Sequence, residues 1–180
     1  MDVDQRQRWL HSRLSGLAIE VAIGRRIGLT AALPAYLFAG VAGGLIALVD
    51  ASERRIPNAV ILPSYPIALS RLVIASALER KWFALVRGGV GMLLLATFYL
   101  VLAILRSGEL GFGDVKLAGW SGLIVGWLGW SVLIVGAFAC SVLGTLGAVA
   151  LLAARRDAAC TSFPFGPFLL AGALVAILIR

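Results

Sequence analysis

The chain has 180 residues, of which 61% are hydrophobic and 14% charged, with a formal net charge of +7. A soluble domain carries about 45–50% apolar and about 25% charged residues, so this balance excludes an ordinary water-soluble globule. The basic residues lie mainly between apolar runs, where anionic lipid and membrane topology account for them without nucleic acid.

A crossing needs roughly 20 apolar residues, because about 30 Å of hydrocarbon is spanned at about 1.5 Å per residue. Residues 1–27 read as a basic N-terminal tail, with an interfacial, amphipathic or re-entrant element over 9–27; Glu20 makes this stretch poor material for a signal-peptide core. Residues 28–180 read as one membrane-embedded domain. Its first span, 28–49, is uncharged and is closed by Asp50. A polar turn with Glu53, Arg54 and Arg55 ends at Pro57-Asn58. The second span, 59–78, contains Arg71, and Pro63 and Pro66 are predicted to bend its start. A charged link leads to the third span, 88–105, and a loop over 106–116 follows, rich in glycine and charge. Residues 117–154 carry no charge and are too long for one crossing, so a break is predicted near Gly129-Trp130, where an aromatic ring suits an interface. After Arg155, Arg156 and Asp157, the last span covers 162–179 and opens with Phe163-Pro164-Phe165-Gly166-Pro167-Phe168. The expected fold class is all-α, a polytopic transmembrane bundle of about six helices. Gly40 with Gly44 and Gly122 with Gly126 are expected to let helix backbones pack closely.

Hairpin geometry puts the Asp50 turn, the 106–116 loop and the 155–157 link on one side, and their arginines and lysine favour the cytoplasm. Arg80, Lys81 and Arg87 fall on the other side, and the arginines of the tail oppose this orientation unless 9–27 returns the tail to the cytoplasm.

The inventory of possible catalysts is short. His11 is the only histidine and lies in the polar tail, and no HExxH or Cys/His cluster stands ready for zinc. No phosphate-binding glycine motif follows a strand. Cys140 and Cys160 make neither a disulfide framework nor a metal-ligand spacing and read as structural. Carboxylates remain. Asp50 and Asp114 each sit where a charge-free helix meets a polar loop, and the hairpin topology brings both junctions to one face. Ionisable groups at membrane depth are costly and tend to be functional. A helix-terminal aspartate can equally be a solvated cap, as Asp114 could be for the fourth span.

The surrounding motifs are Asp50 with six residues between it and Pro57-Asn58, then Gly111-Phe112-Gly113-Asp114-Val115-Lys116, then Pro164-Phe165-Gly166-Pro167-Phe168. In this order they resemble the type IV prepilin peptidases, membrane aspartic proteases of the GxGD group, from roughly Tyr36 to the C-terminus. The resemblance implies Asp50 and Asp114 as the catalytic pair and no cofactor or metal. It implies leader cleavage of type IV prepilins or pilin-like proteins after a glycine, at the cytoplasmic face of the inner (plasma) membrane. Two adjacent carboxylates share one proton, so that one activates water while the other donates to the scissile carbonyl. Gly111, Gly113, Pro164, Gly166 and Pro167 are the residues expected near substrate, while Lys116 reads as an interfacial charge. The expected partners are prepilin substrates and lipid. Many relatives carry a domain with paired CxxC motifs tied to N-methylation; this sequence has none, so the resemblance is to the short, peptidase-only form. Two other readings remain open: an archaeal preflagellin-type peptidase, and a non-enzymatic transporter or secretion-channel subunit using the aspartates as proton or ion sites.

Overall fold

The computed structural model describes residues 17–53, 56, 58–105, 111–154 and 166–179. Among these residues the chain forms seven helices: α1 (17–27), α2 (Leu33–Glu53), α3 (Asn58–Glu79), α4 (Trp82–Leu105), α5 (Phe112–Leu128), α6 (Trp130–Ala154) and α7 (Gly166–Ile179). The six spans read from the sequence correspond to α2–α7, and the break between α5 and α6 falls at Gly129. Four of the helices, α2, α3, α4 and α6, are long and apolar enough to cross a membrane. The other three are shorter: α1 over 17–27, α5 with 17 residues and α7 with 14.

The bundle is arranged around α5, in which every residue from Leu117 to Leu128 is buried. The outer helices turn large apolar side chains outward, among them Leu48 on α2, Ile74 on α3, Phe98 on α4 and Phe138 on α6. An apolar exterior of this kind is stable against lipid tails rather than water. Helix packing therefore has to come from close fit and internal polar contacts. The α4–α5 pair shows the close fit. A Cβ on Gly91 would lie 2.7 Å from the Gly122 carbonyl, and one on Gly122 would collide with the Gly91 carbonyl, so only glycine allows the two backbones to touch. Gly126 packs against the backbone of Arg87 and Gly88. The expected role of Gly122 and Gly126 thus holds. Of the other pair, Gly40 packs against Glu20 and Ile23 of α1, whereas Gly44 has no described atom beside it within 4 Å.

Polar anchors hold α5 in register with its neighbours. Tyr36 Oη donates to the Ile124 carbonyl at 2.9 Å, and Trp120 Nε1 donates to the Ser64 carbonyl at 3.3 Å. Trp127 Nε1 donates to Ser76 Oγ at 2.9 Å. Arg87 of α4 donates to the Gly126 and Trp127 carbonyls at 2.7 and 2.5 Å, satisfying acceptors that the end of α5 leaves unpaired. Trp120 and Trp127 are therefore core residues, and Trp130 alone of these three tryptophans is exposed.

At the end of the α2–α3 pair remote from Asp50, Glu79 Oε1 accepts from Ala31 N–H at 2.9 Å and Glu79 Oε2 pairs with Lys81 at 2.8 Å. Arg80 closes α3 with φ 53°, and Lys81 N–H reaches the Ser76 carbonyl at 2.9 Å, a left-handed C-terminal cap of the kind usually made by glycine. Arg71, placed within a span by the sequence, donates to the Pro34 carbonyl at 3.2 Å and lies over the Phe38 ring. Helix α3 runs unbroken through Pro63 and Pro66. Helix α1 folds back along α2 through Gly28, whose φ of 72° suits glycine and whose N–H reaches the Gly24 carbonyl at 3.0 Å.

Candidate active site

Asp50 does not end its helix. Helix α2 continues to Glu53, and Asp50 is buried at 4% exposure, which corrects its expected place at the junction with the loop. A buried carboxylate needs a donor, and the fold supplies one from far along the chain: Gly166 N–H donates to Asp50 Oδ2 at 3.0 Å. Gly166 is the first residue of α7, where backbone N–H groups lack intrahelical partners and the helix dipole favours negative charge. A Cβ at this position would stand 2.6 Å from Asp50 Oδ2, so the contact requires glycine.

Asp114 occupies the polar first turn of α5, ahead of the apolar run that starts at Leu117. Its Oδ2 accepts from Gly111 N–H at 3.3 Å, the acidic half of a capping box. Both carboxylates thus sit at helix N-termini, Asp114 on its own helix and Asp50 on α7. Burial pushes the Asp114 carboxyl up to about 6, and the Asp50 charge adds to the rise against the opposing Gly111 N–H. The two groups are therefore within electrostatic reach of each other. Asp114 also lies within electrostatic reach of Tyr99 and Cys140, which contact each other at 3.2 Å.

The glycines around Asp114 differ in what they permit. Gly111 is extended (φ −77°, ψ 147°), and a Cβ there would make only ordinary contact with Asp114. A Cβ on Gly113 would come within 2.9 Å of Ile56 Cβ, so the room beside Gly113, expected to admit a substrate backbone, is taken by Ile56. Pro167 lines an apolar cavity of about 240 Å³ between α2, α5 and α7, together with Ala47, one turn before Asp50. Pro164 lies outside the described residues, as do Arg54, Arg55, Glu109, Asp157 and Cys160.

Lys116, read from the sequence as an interfacial charge, has a partner on another helix. Its ammonium donates to Asn58 Oδ1 at 2.8 Å, and its backbone carbonyl accepts from Tyr65 Oη at 2.5 Å. The sequence reading did not single out Ile56, Asn58 or Tyr65 as site residues. The available signal was helical spacing: Asn58 and Tyr65 are seven residues apart on α3, so both face the same neighbour. Among the described residues, no three His, Cys, Asp or Glu side chains are grouped so as to hold a metal ion.

An apolar-surfaced bundle with two interacting carboxylates at helix N-termini defines a polytopic membrane protein with an acidic dyad. Its family follows from comparison: the chain belongs to the type IV leader peptidase family, whose model matches residues 37–179. It is similar to the prepilin leader peptidase/N-methyltransferase of Pseudomonas putida, with 35% identity over 138 residues, 74% of this chain and 45% of the relative. The protein of the same description from Bacillus subtilis (strain 168) is 31% identical over 160 residues, 87% of this chain and 60% of the relative. That from Pseudomonas aeruginosa is 29% identical over 139 residues, 75% of this chain and 46% of the relative. The chain therefore spans about half the length of the curated relatives it matches. No solved structure matches it.

Proposed function

We propose that this chain is a membrane aspartic endopeptidase that removes the leader of type IV prepilins or pilin-like proteins, cutting after a glycine at the cytoplasmic face of the inner membrane. The observation that carries this reading is that two acids far apart in the sequence come to one end of the bundle, Asp50 against the N-terminus of α7 and Asp114 in the first turn of α5, beside a Lys116 bonded to the start of α3. Two carboxylates brought close share one proton, because the second ionisation is opposed by the charge of the first. The ionised member takes a proton from water as the water oxygen attacks the scissile carbonyl carbon. The protonated member donates to the carbonyl oxygen, and the resulting tetrahedral species collapses as the amine leaves with a proton. The family membership supports the substrate class, and the apolar surface of the bundle suits a substrate whose cleavage site adjoins a hydrophobic helix.

The test is mass spectrometry of the N-terminus of a coexpressed prepilin. Leader-free product should appear with the wild-type chain and be absent with Asp50→Asn or Asp114→Asn, both variants remaining membrane-inserted and monodisperse in detergent. Processing that survives the double Asn variant would reject the protease reading and leave the aspartates as ion or proton sites.

A further inference from the structure

Three contacts to the turn that carries Asp114 come from Ile56, two residues ahead of α3, and from Asn58 and Tyr65 on α3 itself. Ile56 fills the space beside Gly113, immediately before Asp114. Asn58 Oδ1 accepts from the Lys116 ammonium at 2.8 Å, two residues after Asp114. Tyr65 Oη donates to the Lys116 backbone carbonyl at 2.5 Å. Asn58 also stands only five positions after Glu53, the end of α2, which carries Asp50. One side chain, that of Lys116, thus ties the segment bearing one carboxylate to the hairpin bearing the other.

A lysine this near an aspartate invites an electrostatic role, but the geometry gives it another. The ammonium is directed to a neutral amide oxygen, and among the described residues Lys116 forms no ion pair with either carboxylate. Gly111 N–H, at 3.3 Å, is the donor to Asp114. We infer that Lys116 and Asn58 together are positioning residues: their hydrogen bond sets the placement of the Asp114 turn relative to Asp50, and Lys116 does not act on the carboxylates through its charge. This inference rests on the protease reading above. A pair so placed governs the rate of the chemical step and leaves substrate affinity alone; its loss lets the two acids move apart, which can lower the dyad's pH midpoint but not raise it. Displacement of a reacting group by about 1 Å can cost about 100-fold in rate, and loss of this tether should cost at least about tenfold.

The experiment measures cleavage of a purified prepilin with a basic leader, a glycine at the cut and an apolar helix, by the full chain in detergent across pH 4.5–8. Lys116→Met and Asn58→Ala should each lower kcat by about tenfold or more, with KM unchanged and the pH midpoint unchanged or lower. The double variant should be no slower than the worse single one, because both remove the same bond. The exchange Lys116→Asn with Asn58→Lys restores a donor–acceptor pair and should recover kcat to within about threefold of wild type. Variants whose thermal unfolding differs from wild type are judged by this exchange alone. A pH midpoint that moves up when Lys116 is neutralised would show that its charge acts on the dyad and would overturn the inference. Additive losses, failure of the exchange, or a full rate in Lys116→Met would also overturn it. A wild-type chain that cuts no prepilin rejects the protease reading itself, and the inference with it; a wild type that cuts while the variants behave as wild type rejects the inference alone.

Discussion

Replacing Gly166 by alanine probes the link between α7 and Asp50 most directly. The added Cβ would sit 2.6 Å from Asp50 Oδ2 and 3.2 Å from its Cγ, well inside contact distance. Either the carboxylate rotates away or the start of α7 moves outward, and both outcomes break the 3.0 Å bond from Gly166 N–H. A hydrogen bond to a charged group contributes about 1.5–3 kcal/mol, and here the carboxylate would be left buried at 4% exposure with that donor removed. The stability loss should therefore be about 2 kcal/mol, seen as a lower midpoint of thermal unfolding in detergent. The rate should suffer more, by about 100-fold, since the displaced group is a reacting one. Cleavage of a purified prepilin gives kcat, and the unfolding scan shows that the variant is still folded. A Gly166→Ala chain that cuts within about twofold of the wild-type rate would refute the reasoning, because it would mean that Asp50 does not need this contact.

Other expectations follow from the same contacts. Burial raises the Asp114 carboxyl to about 6 in the folded chain, above the ordinary aspartate value of about 3.9, so the native state binds more protons in that window. Stability should accordingly fall as pH rises from about 4 through about 6 and then level off, and Asp114→Asn should flatten this slope in pH-dependent unfolding scans. Arg80→Gly removes a left-handed non-glycine cap at φ 53° and should stabilise the chain by about 1 kcal/mol in the same scans. Gly122→Leu should separate α4 from α5 and destabilise the protein by about 3 kcal/mol or prevent its insertion, read as loss of a monodisperse peak; an unaltered peak and unfolding midpoint would contradict the packing described.

The helices were legible because lipid selects for long uncharged runs, and the charges between those runs mark their ends. The break at Gly129 was legible for the same reason, since an uncharged stretch of that length has to turn somewhere. Asp50 and Asp114 stood out as acids beside apolar helices. The donor to Asp50 was not visible, because Gly166 lies 116 positions away and only the packing of α7 against α2 brings it there. The partner of Lys116 was hidden for a related reason. A lysine at a helix start looks like an interfacial charge until the partner on another helix is known, and Asn58 is 58 positions earlier. Helix α5 is shorter than a normal span, and this became intelligible only once its neighbours were seen to enclose it.

That enclosure separates the apolar length of the helix bearing Asp114 from the surrounding bilayer. From Leu117 to Leu128 its helix is surrounded by protein, and Arg87 closes the far end. A thicker or thinner membrane would press first on α2, α3, α4 and α6, whose apolar side chains face outward. The level at which α5 sits is thus set by its contacts within the polypeptide rather than by the length of its own apolar run.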